Sequence, residues 1–277
     1  MSVEPAWKPL TVLRTLALAP ARAAYAVWTL LAFLAVGLGA LLLLLVLPRV
    51  TQRRAAARAA ARTFLRVAGM PLTVRFPERL PQGQCVVVCN HASYIDGIVL
   101  TAALPAHFGF VIKREAAAVP LMGALLKRLG SEFVERFDRH RGATDARRVL
   151  RNAAQGHSLV FFPEGTFTRT PGLLKFHTGA FVTATRAACP LVPAVLRGTR
   201  HALPPSGALP RPGAIEMEIL PPLTPSPAAD DHAAPQLRDR ARAAILAALG
   251  EPDLTCCADT DHPPDTGRAR SVRASRP

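Results

Sequence analysis

The feature that most restricts this chain is Ala23–Leu47, AAYAVWTLLAFLAVGLGALLLLLVL, in which 25 consecutive positions carry no charge. A helix that crosses a hydrocarbon core needs about 20 apolar residues. The segment therefore predicts an N-terminal membrane helix at 23–47, behind a lead of residues 1–22. A cleaved secretion signal would have a shorter apolar run with a small-residue cleavage site behind it. Pro48 and Arg49 follow instead, so an uncleaved segment is expected. Lys8, Arg14 and Arg22 precede it, and Arg49, Arg53, Arg54, Arg58, Arg62 and Arg66 come after. That excess places the rest of the chain on the cytoplasmic side, with a bacterial inner membrane as the expected location.

Residues 51–68 predict a second helix, because alanine dominates QRRAAARAAARTFLRVAG. Arg54, Arg58, Arg62 and Arg66 recur every four residues and form a cationic stripe, while Ala57, Ala61, Phe64 and Leu65 offer an apolar side. The plain reading of such a stripe is a solvated face. Directly behind a membrane segment it predicts contact with anionic headgroups. The 34 Lys and Arg against 19 Asp and Glu give a net charge of +15. An excess of that size suits either an acidic membrane surface or nucleic acid. Aromatic residues, at 6%, are too sparse for a base-stacking platform. The expected partner is a lipid bilayer with anionic headgroups, and no nucleic acid.

From residue 70 to residue 250 the pattern changes to short apolar runs alternating with helical stretches. Strands are predicted at LTVRF, QCVVVC, HFGFVIK, EFVER, SLVFF, LVPAVL and AIEMEIL, with helices at Asp96–Ala103, Leu121–Leu129, Asp145–Ala154 and Gly179–Ala188. Such alternation predicts an α/β domain with a mostly parallel central sheet flanked by helices. A terminal amphipathic helix follows a Pro-rich link, and the polar, aperiodic tail 251–277 is expected to be disordered. Five cysteines without paired C-x-x-C units argue against a disulfide framework or a zinc site. Cys85 and Cys89 fall on one face of a buried strand and are expected to pack in the core.

Where that strand ends, NHASYID places His91 five residues before Asp96. Within one regular helix, residues five apart point about 140° away from each other. The two can meet only if His91 lies in a turn leading from the strand into the helix that Asp96 begins. Ser93-x-x-Asp96 also fits a capping box, which would explain Asp96 without any chemistry. Downstream, Pro163–Glu164–Gly165–Thr166 follows another buried strand as a tight loop. Arg136 lies just past a third strand and Lys113 at the end of a fourth. Open α/β sheets bind ligands outside the carboxyl ends of their strands. A base, its orienting carboxylate and an anion clamp could share such an edge.

These residues resemble the motifs of the lysophosphatidic acid acyltransferase (1-acylglycerol-3-phosphate O-acyltransferase) family of glycerolipid acyltransferases. NHASYID matches the family's N-H-x-x-x-x-D at Asn90, His91 and Asp96, and GSEFVER matches G-x-x-F-[IV]-x-R at Gly130, Phe133, Val134 and Arg136. FPEGT matches at Phe162–Thr166, LVPAVL matches a short V-P-[VA] segment around Pro193, and Lys113, Glu115, Pro120 and Gly123 also follow the pattern. The likeness covers about residues 70–200, with the motifs in order. It implies transfer of a fatty acyl group from an acyl thioester, acyl-CoA or acyl-carrier protein, to the hydroxyl of lysophosphatidic acid, forming phosphatidic acid. It also implies His91 as general base, Asp96 as its orienting carboxylate, Arg136 and Lys113 as phosphate ligands, and Glu164, Gly165 and Thr166 as shapers of the acceptor site. No metal and no cofactor are implied beyond the acyl donor. The membrane segment with the striped helix would then match the two-helix motif that some members lay on a membrane.

One position departs from the pattern. Phe167 stands where the family usually has arginine, and Arg169 comes two residues later. A lyso-ornithine lipid or another lysophospholipid is therefore an alternative acceptor. A membrane-tethered basic binding protein without catalysis is a third reading, and it leaves the ordered motifs unexplained.

Overall fold

The computed structural model describes residues 8–118, 122–134, 139–226 and 232–255. Seven strands form one sheet: β1 (Leu72–Arg75), β2 (Val86–Cys89), β3 (Gly109–Lys113), β4 (Glu132–Val134), β5 (Leu159–Phe161), β6 (Leu191–Arg197) and β7 (Ile215–Ile219). Their spatial order is β1-β7-β6-β2-β5-β3-β4. The five strands from β6 to β4 run parallel, and β7 turns antiparallel to β6 and carries β1 with it. The fold is thus α/β with a mostly parallel sheet, and each of the seven predicted apolar runs contributes one strand.

Strand β2 occupies the middle because both of its faces are apolar. Val87 and Cys89 point into one core with Phe64, Leu65, Val99 and Leu100, while Val86 and Val88 point into the other with Phe176, Phe181, Leu237 and Ile245. All four strand residues are fully buried, as parallel strands covered on both sides require. Each buried valine stabilises the fold by roughly 1.5–3 kcal/mol. The Cys85 and Cys89 thiols are also fully buried, and dehydration pushes the Cys85 thiol up to about 12.

Helices cover both faces. On one side lie α1 (Lys8–Val46), α2 (Val50–Val67) and α3 (Asp96–Ala103), and on the other α7 (Gly179–Arg186) and α9 (Ala233–Leu249). Helices α4 (Glu115–Ala118), α5 (Met122–Arg128), α6 (Arg139–Ala154) and α8 (Thr199–Ala202) complete the connections. Ala19–Val46 is long and apolar enough to cross a membrane. It also lies along α2: Tyr25 donates to the Ala68 carbonyl, Trp28 Nε1 to Val67, and Phe33 packs edge-on against Phe64. Its other side leaves Leu31, Leu34, Leu38, Leu42 and Leu45 exposed.

The arginine stripe on α2, expected to contact headgroups, has partners within the domain. Arg54 Nε donates to the Leu129 carbonyl at 2.8 Å, Nη1 to His107 at 2.9 Å and Nη2 to Gly130 at 3.0 Å. Arg58 reaches the Ala103 carbonyl, and Arg62 Nε donates to Ala102 at 2.8 Å. Apart from that of His107, in the loop before β3, these carbonyls lie at the ends of α3 and α5, where a helix leaves acceptors unpaired and its dipole favours a cation. Three of the four arginines therefore hold α2 to the domain. Arg128 on α5 does the same for α1, donating to Leu44 and Leu45.

The expectation of a disordered tail from residue 251 is corrected over its first five residues. Glu251–Thr255 is placed against the loop after β5, bridging Leu173 to Asp253. An aperiodic polar segment gave no hint of that pairing. Residues 256–277, with Cys256 and Cys257, lie outside the described residues.

Candidate active site

The carboxyl ends of β2 and β5 are neighbours in the sheet, and the polar loops leaving them meet. At the end of β2, Asn90 is buried, and its side chain continues the ladder to β6: Nδ2 donates to the Leu196 carbonyl at 3.1 Å, and Oδ1 accepts from the Leu196 N–H at 2.7 Å. That pair pins the start of the turn. His91 is next, outside any helix, and α3 begins five residues later at Asp96.

The turn brings His91 Nδ1 to 2.8 Å from Asp96 Oδ2. The same oxygen accepts from the backbone N–H groups of Ala92 at 2.7 Å and Ser93 at 2.8 Å. An oxygen accepting two backbone N–H bonds must also receive the Nδ1 proton, which leaves Nε2 with its lone pair. Asp96 is completely buried, whereas the His91 side chain is 19% exposed. The geometry is that of a histidine held by a carboxylate with its outer nitrogen available.

The capping-box expectation needs a correction. Its carboxylate half is present, since Asp96 reaches back to the Ser93 N–H. Its hydroxyl half is not: Ser93 Oγ donates to the Leu203 carbonyl at 2.6 Å and accepts from the Ile95 N–H. The helix begins at Asp96 itself, so the serine falls too far upstream to cap its third N–H.

Glu164 is also buried, and both of its oxygens accept backbone N–H groups. Oε1 takes His91 N at 2.6 Å, and Oε2 takes Leu174 N at 2.8 Å. The carboxylate thus ties the loop of β2 to the far end of its own loop. Burial pushes its pKa up to about 7, with the Asp96 charge adding to the rise and the two N–H bonds and Arg200 opposing it. Gly165 makes the tight turn with φ near +73°, a backbone angle favouring glycine, and its N–H returns to the Phe162 carbonyl. Thr166 follows on the surface of the same loop.

Aromatic rings frame the histidine. Phe162 stacks on it with centroids 4.2 Å apart, and Phe167 meets it edge-on at 4.5 Å. Phe167 in turn contacts the exposed Tyr94. The sequence placed Phe167 only as a departure from a pattern; its packing on His91 required the fold. Asn90 stands in the matched motif, and a polar residue closing an all-apolar buried run needs the partner that Leu196 supplies.

Lys113 is further away. It ends β3, on the far side of β5 from β2. Val86, Leu159 and Gly109 are paired across the three strands, and Lys113, four residues past Gly109, pairs with Val134 of β4. Two strand spacings put about 10 Å between the backbones of β2 and β3. Its neighbour Arg114 is committed to Asp145. Arg136, expected beside it, lies outside the described residues, as does Pro120. Among the described residues, no group of three or more His, Cys, Asp or Glu side chains could hold a metal ion.

Residues 71–197 match the family model described as Acyltransferase. The chain is 27% identical over 188 residues to a 1-acyl-sn-glycerol-3-phosphate acyltransferase of Cocos nucifera, covering 66% of this chain and 61% of the relative. It is 33% identical over 187 residues to one of Chlamydomonas reinhardtii, covering 67% and 54%. Against the lyso-ornithine lipid O-acyltransferase of Pseudomonas aeruginosa the figure is 31% over 145 residues, covering 51% and 54%. The matches thus span 54–61% of these three relatives' lengths. Among solved structures, the fold matches that of the 1-acyl-sn-glycerophosphate acyltransferase PlsC of Thermotoga maritima with a TM-score of 0.68, over 86% of this chain and 95% of that one, at 18% identity.

Proposed function

We propose that this chain is a member of the lysophosphatidic acid acyltransferase family of glycerolipid acyltransferases and transfers a fatty acyl group from an acyl thioester to the free hydroxyl of lysophosphatidic acid. The observation that carries this reading is the His91–Asp96 pair, held at 2.8 Å with its outer nitrogen free of that bond. His91 Nε2 removes the hydroxyl proton as the oxygen attacks the thioester carbonyl. The tetrahedral adduct collapses with loss of the thiolate, and the imidazolium returns the proton to sulfur. Acyl oxygen bond formation and carbon–sulfur cleavage balance, so no covalent enzyme intermediate is needed. The buried Asp96 carboxylate, 2.8 Å from Nδ1, favours the imidazolium that forms on the way. The donor is acyl-CoA or acyl-carrier protein, and Lys113 and Arg136 are the proposed phosphate ligands.

A second acceptor has an observation of its own. Phe167 places an apolar ring against His91, where a cation would favour an acceptor phosphate. A lyso-ornithine lipid, the acceptor named for the Pseudomonas relative, fits that replacement. The deciding experiment is thiol release by the purified protein with a panel of lyso-lipids. Fastest turnover of lysophosphatidic acid supports the first reading, and faster turnover of a lyso-lipid without a phosphomonoester supports the second. Equal release from wild type and His91→Ala would remove the base assignment.

The apolar helix and the lipid-acyltransferase relatives point to membrane association. The proposed location is the cytoplasmic side of a bacterial inner membrane. Embedding α1 would bring the domain to the surface, because α2 lies along α1 and is bound to α3 and α5 by its arginines.

A further inference from the structure

The loop from Pro163 to Leu174 carries both Glu164 and Phe167, so its course decides what His91 meets. It has no regular structure of its own, and segments from the end of the chain hold it. Gly172 N donates to Glu251 Oε2 at 2.7 Å, Leu173 N donates to the Pro252 carbonyl at 2.9 Å, and Leu254 N donates to the Leu173 carbonyl at 3.0 Å. Arg242 on α9 donates to the Leu173 and Leu174 carbonyls, and a two-bond pair with Asp253 fixes its guanidinium. Arg200 bridges the two parts: Nη1 donates to the Thr168 carbonyl at 2.6 Å, and Nη2 lies 3.8 Å from Glu251.

The fit leaves no room for a side chain. Gly172 has φ near +143°, and a Cβ there would fall 2.8 Å from the Pro252 carbonyl oxygen and overlap Leu254. The next two residues complete the chain of contacts. Leu173 is fully buried, and the Leu174 N–H is the group that Glu164 Oε2 accepts while Oε1 holds the His91 backbone. From Glu251 to His91 there is one continuous run of backbone and carboxylate hydrogen bonds.

We propose that Glu251–Thr255 is a positioning strap for the active site. Acting through Leu173 and Leu174, it sets Glu164 under the His91 backbone and Phe167 against the His91 ring. The proposal rests on the acyl-transfer reading above. Glu251 and Gly172 touch neither reacting group; they act through the loop, and small displacements of a reacting pair are costly.

The test uses the full chain with Glu251→Ala, Glu251→Gln and Gly172→Ala. Two readouts are taken: kinetics of thiol release, and the rate of His91 carbethoxylation by diethyl pyrocarbonate, followed by peptide mass spectrometry. Glu251→Ala and Gly172→Ala should lower kcat/KM for the acceptor about tenfold with the thioester KM unchanged, and His91 should be modified several-fold faster. Glu251→Gln keeps an acceptor for the Gly172 N–H and should stay near wild type. Gln84→Ala, which loses a bond to the Ala153 carbonyl away from this loop, gives the comparison for stability loss alone. Unchanged His91 reactivity in both disruptive variants, with only the melting temperature lowered, would make the strap a fold clamp and overturn the proposal. Should wild type release no thiol with any lyso-lipid, the acyl-transfer reading fails, and the His91 modification rates then decide the strap on their own.

Discussion

Glu164 grips His91 by its backbone and not by its ring: Oε1 accepts the His91 N–H at 2.6 Å, while the imidazole turns away to Asp96. Two carboxylates therefore serve one histidine in different ways. Asp96 sets the tautomer and Glu164 sets the position of the residue. Glu164 also belongs to a pH response, because burial raises its pKa from 4.5 to about 7. In the unfolded chain the group ionises near 4.5, so between pH 4.5 and 7 the folded protein holds the extra proton. Its contribution is fully present below pH 4.5 and is lost as pH rises through 7, by roughly 3 kcal/mol in all. Glu164→Gln should flatten the fall of melting temperature between pH 5 and 8 relative to wild type. Identical slopes in the two proteins would show that the group titrates normally.

The His91–Asp96 pair makes the sharpest kinetic prediction. His91→Ala should lower kcat/KM by roughly 10²–10⁴, the range for loss of a positioned general base. Asp96→Asn should also be severe, since an amide cannot accept the Nδ1 proton and two backbone N–H groups while stabilising an imidazolium. Thiol release at saturating thioester measures both. An Asp96→Asn enzyme within twofold of wild type would remove Asp96 from the proposed mechanism.

Phe167→Arg tests the acceptor. The substitution replaces an edge-on ring at 4.5 Å from His91 with a cation able to bind a phosphate in two places. Turnover of lysophosphatidic acid relative to a lyso-ornithine lipid should rise about tenfold, equivalent to some 1.4 kcal/mol. If the ratio stays flat across the panel, residue 167 does not select the head group.

Arg54 should matter for stability and not for lipid binding. Its guanidinium makes three bonds to the carbonyls of His107, Leu129 and Gly130, and burial lowers its pKa. Arg54→Gln should cost roughly 2–4 kcal/mol in denaturant unfolding, with co-sedimentation on anionic vesicles unchanged. Loss of vesicle binding at constant stability would restore the headgroup role.

Membrane attachment should reside in the outward side of α1. Glutamate at Leu31, Leu38 and Leu42, all more than half exposed, should release the protein from neutral vesicles while its circular dichroism is kept. Each substitution places a charge where the helix would meet hydrocarbon. Undiminished binding would point to another surface.

The parts of the site that the sequence discloses are those encoded locally. The all-apolar VVVC run told of a strand buried on both faces, and His91 with Asp96 could be paired because a strand-to-helix turn spans only a few residues. The arginine period on α2 was equally plain, yet its partners are carbonyls 40 to 76 residues away, and no periodicity names a distant helix end. Phe167 and Arg200 act through contacts across loops that only the sheet order brings together. The segment Glu251–Thr255 was misread because a strap that pairs through its backbone needs no apolar repeat.

The order of the strands has a consequence for how the ribosome delivers this protein. Strand β2 carries the candidate histidine at its end, but its neighbours are Leu159–Phe161 and Leu191–Arg197, made some 70 and 105 residues later. Until those segments emerge, a fully apolar strand waits with both edges open, the condition in which nascent chains aggregate. The apolar helix α1 leaves the tunnel before any strand and can be sheltered in lipid, while residues 251–255 leave after all seven strands. Translation thus delivers the apolar helix before the strands that frame the candidate site.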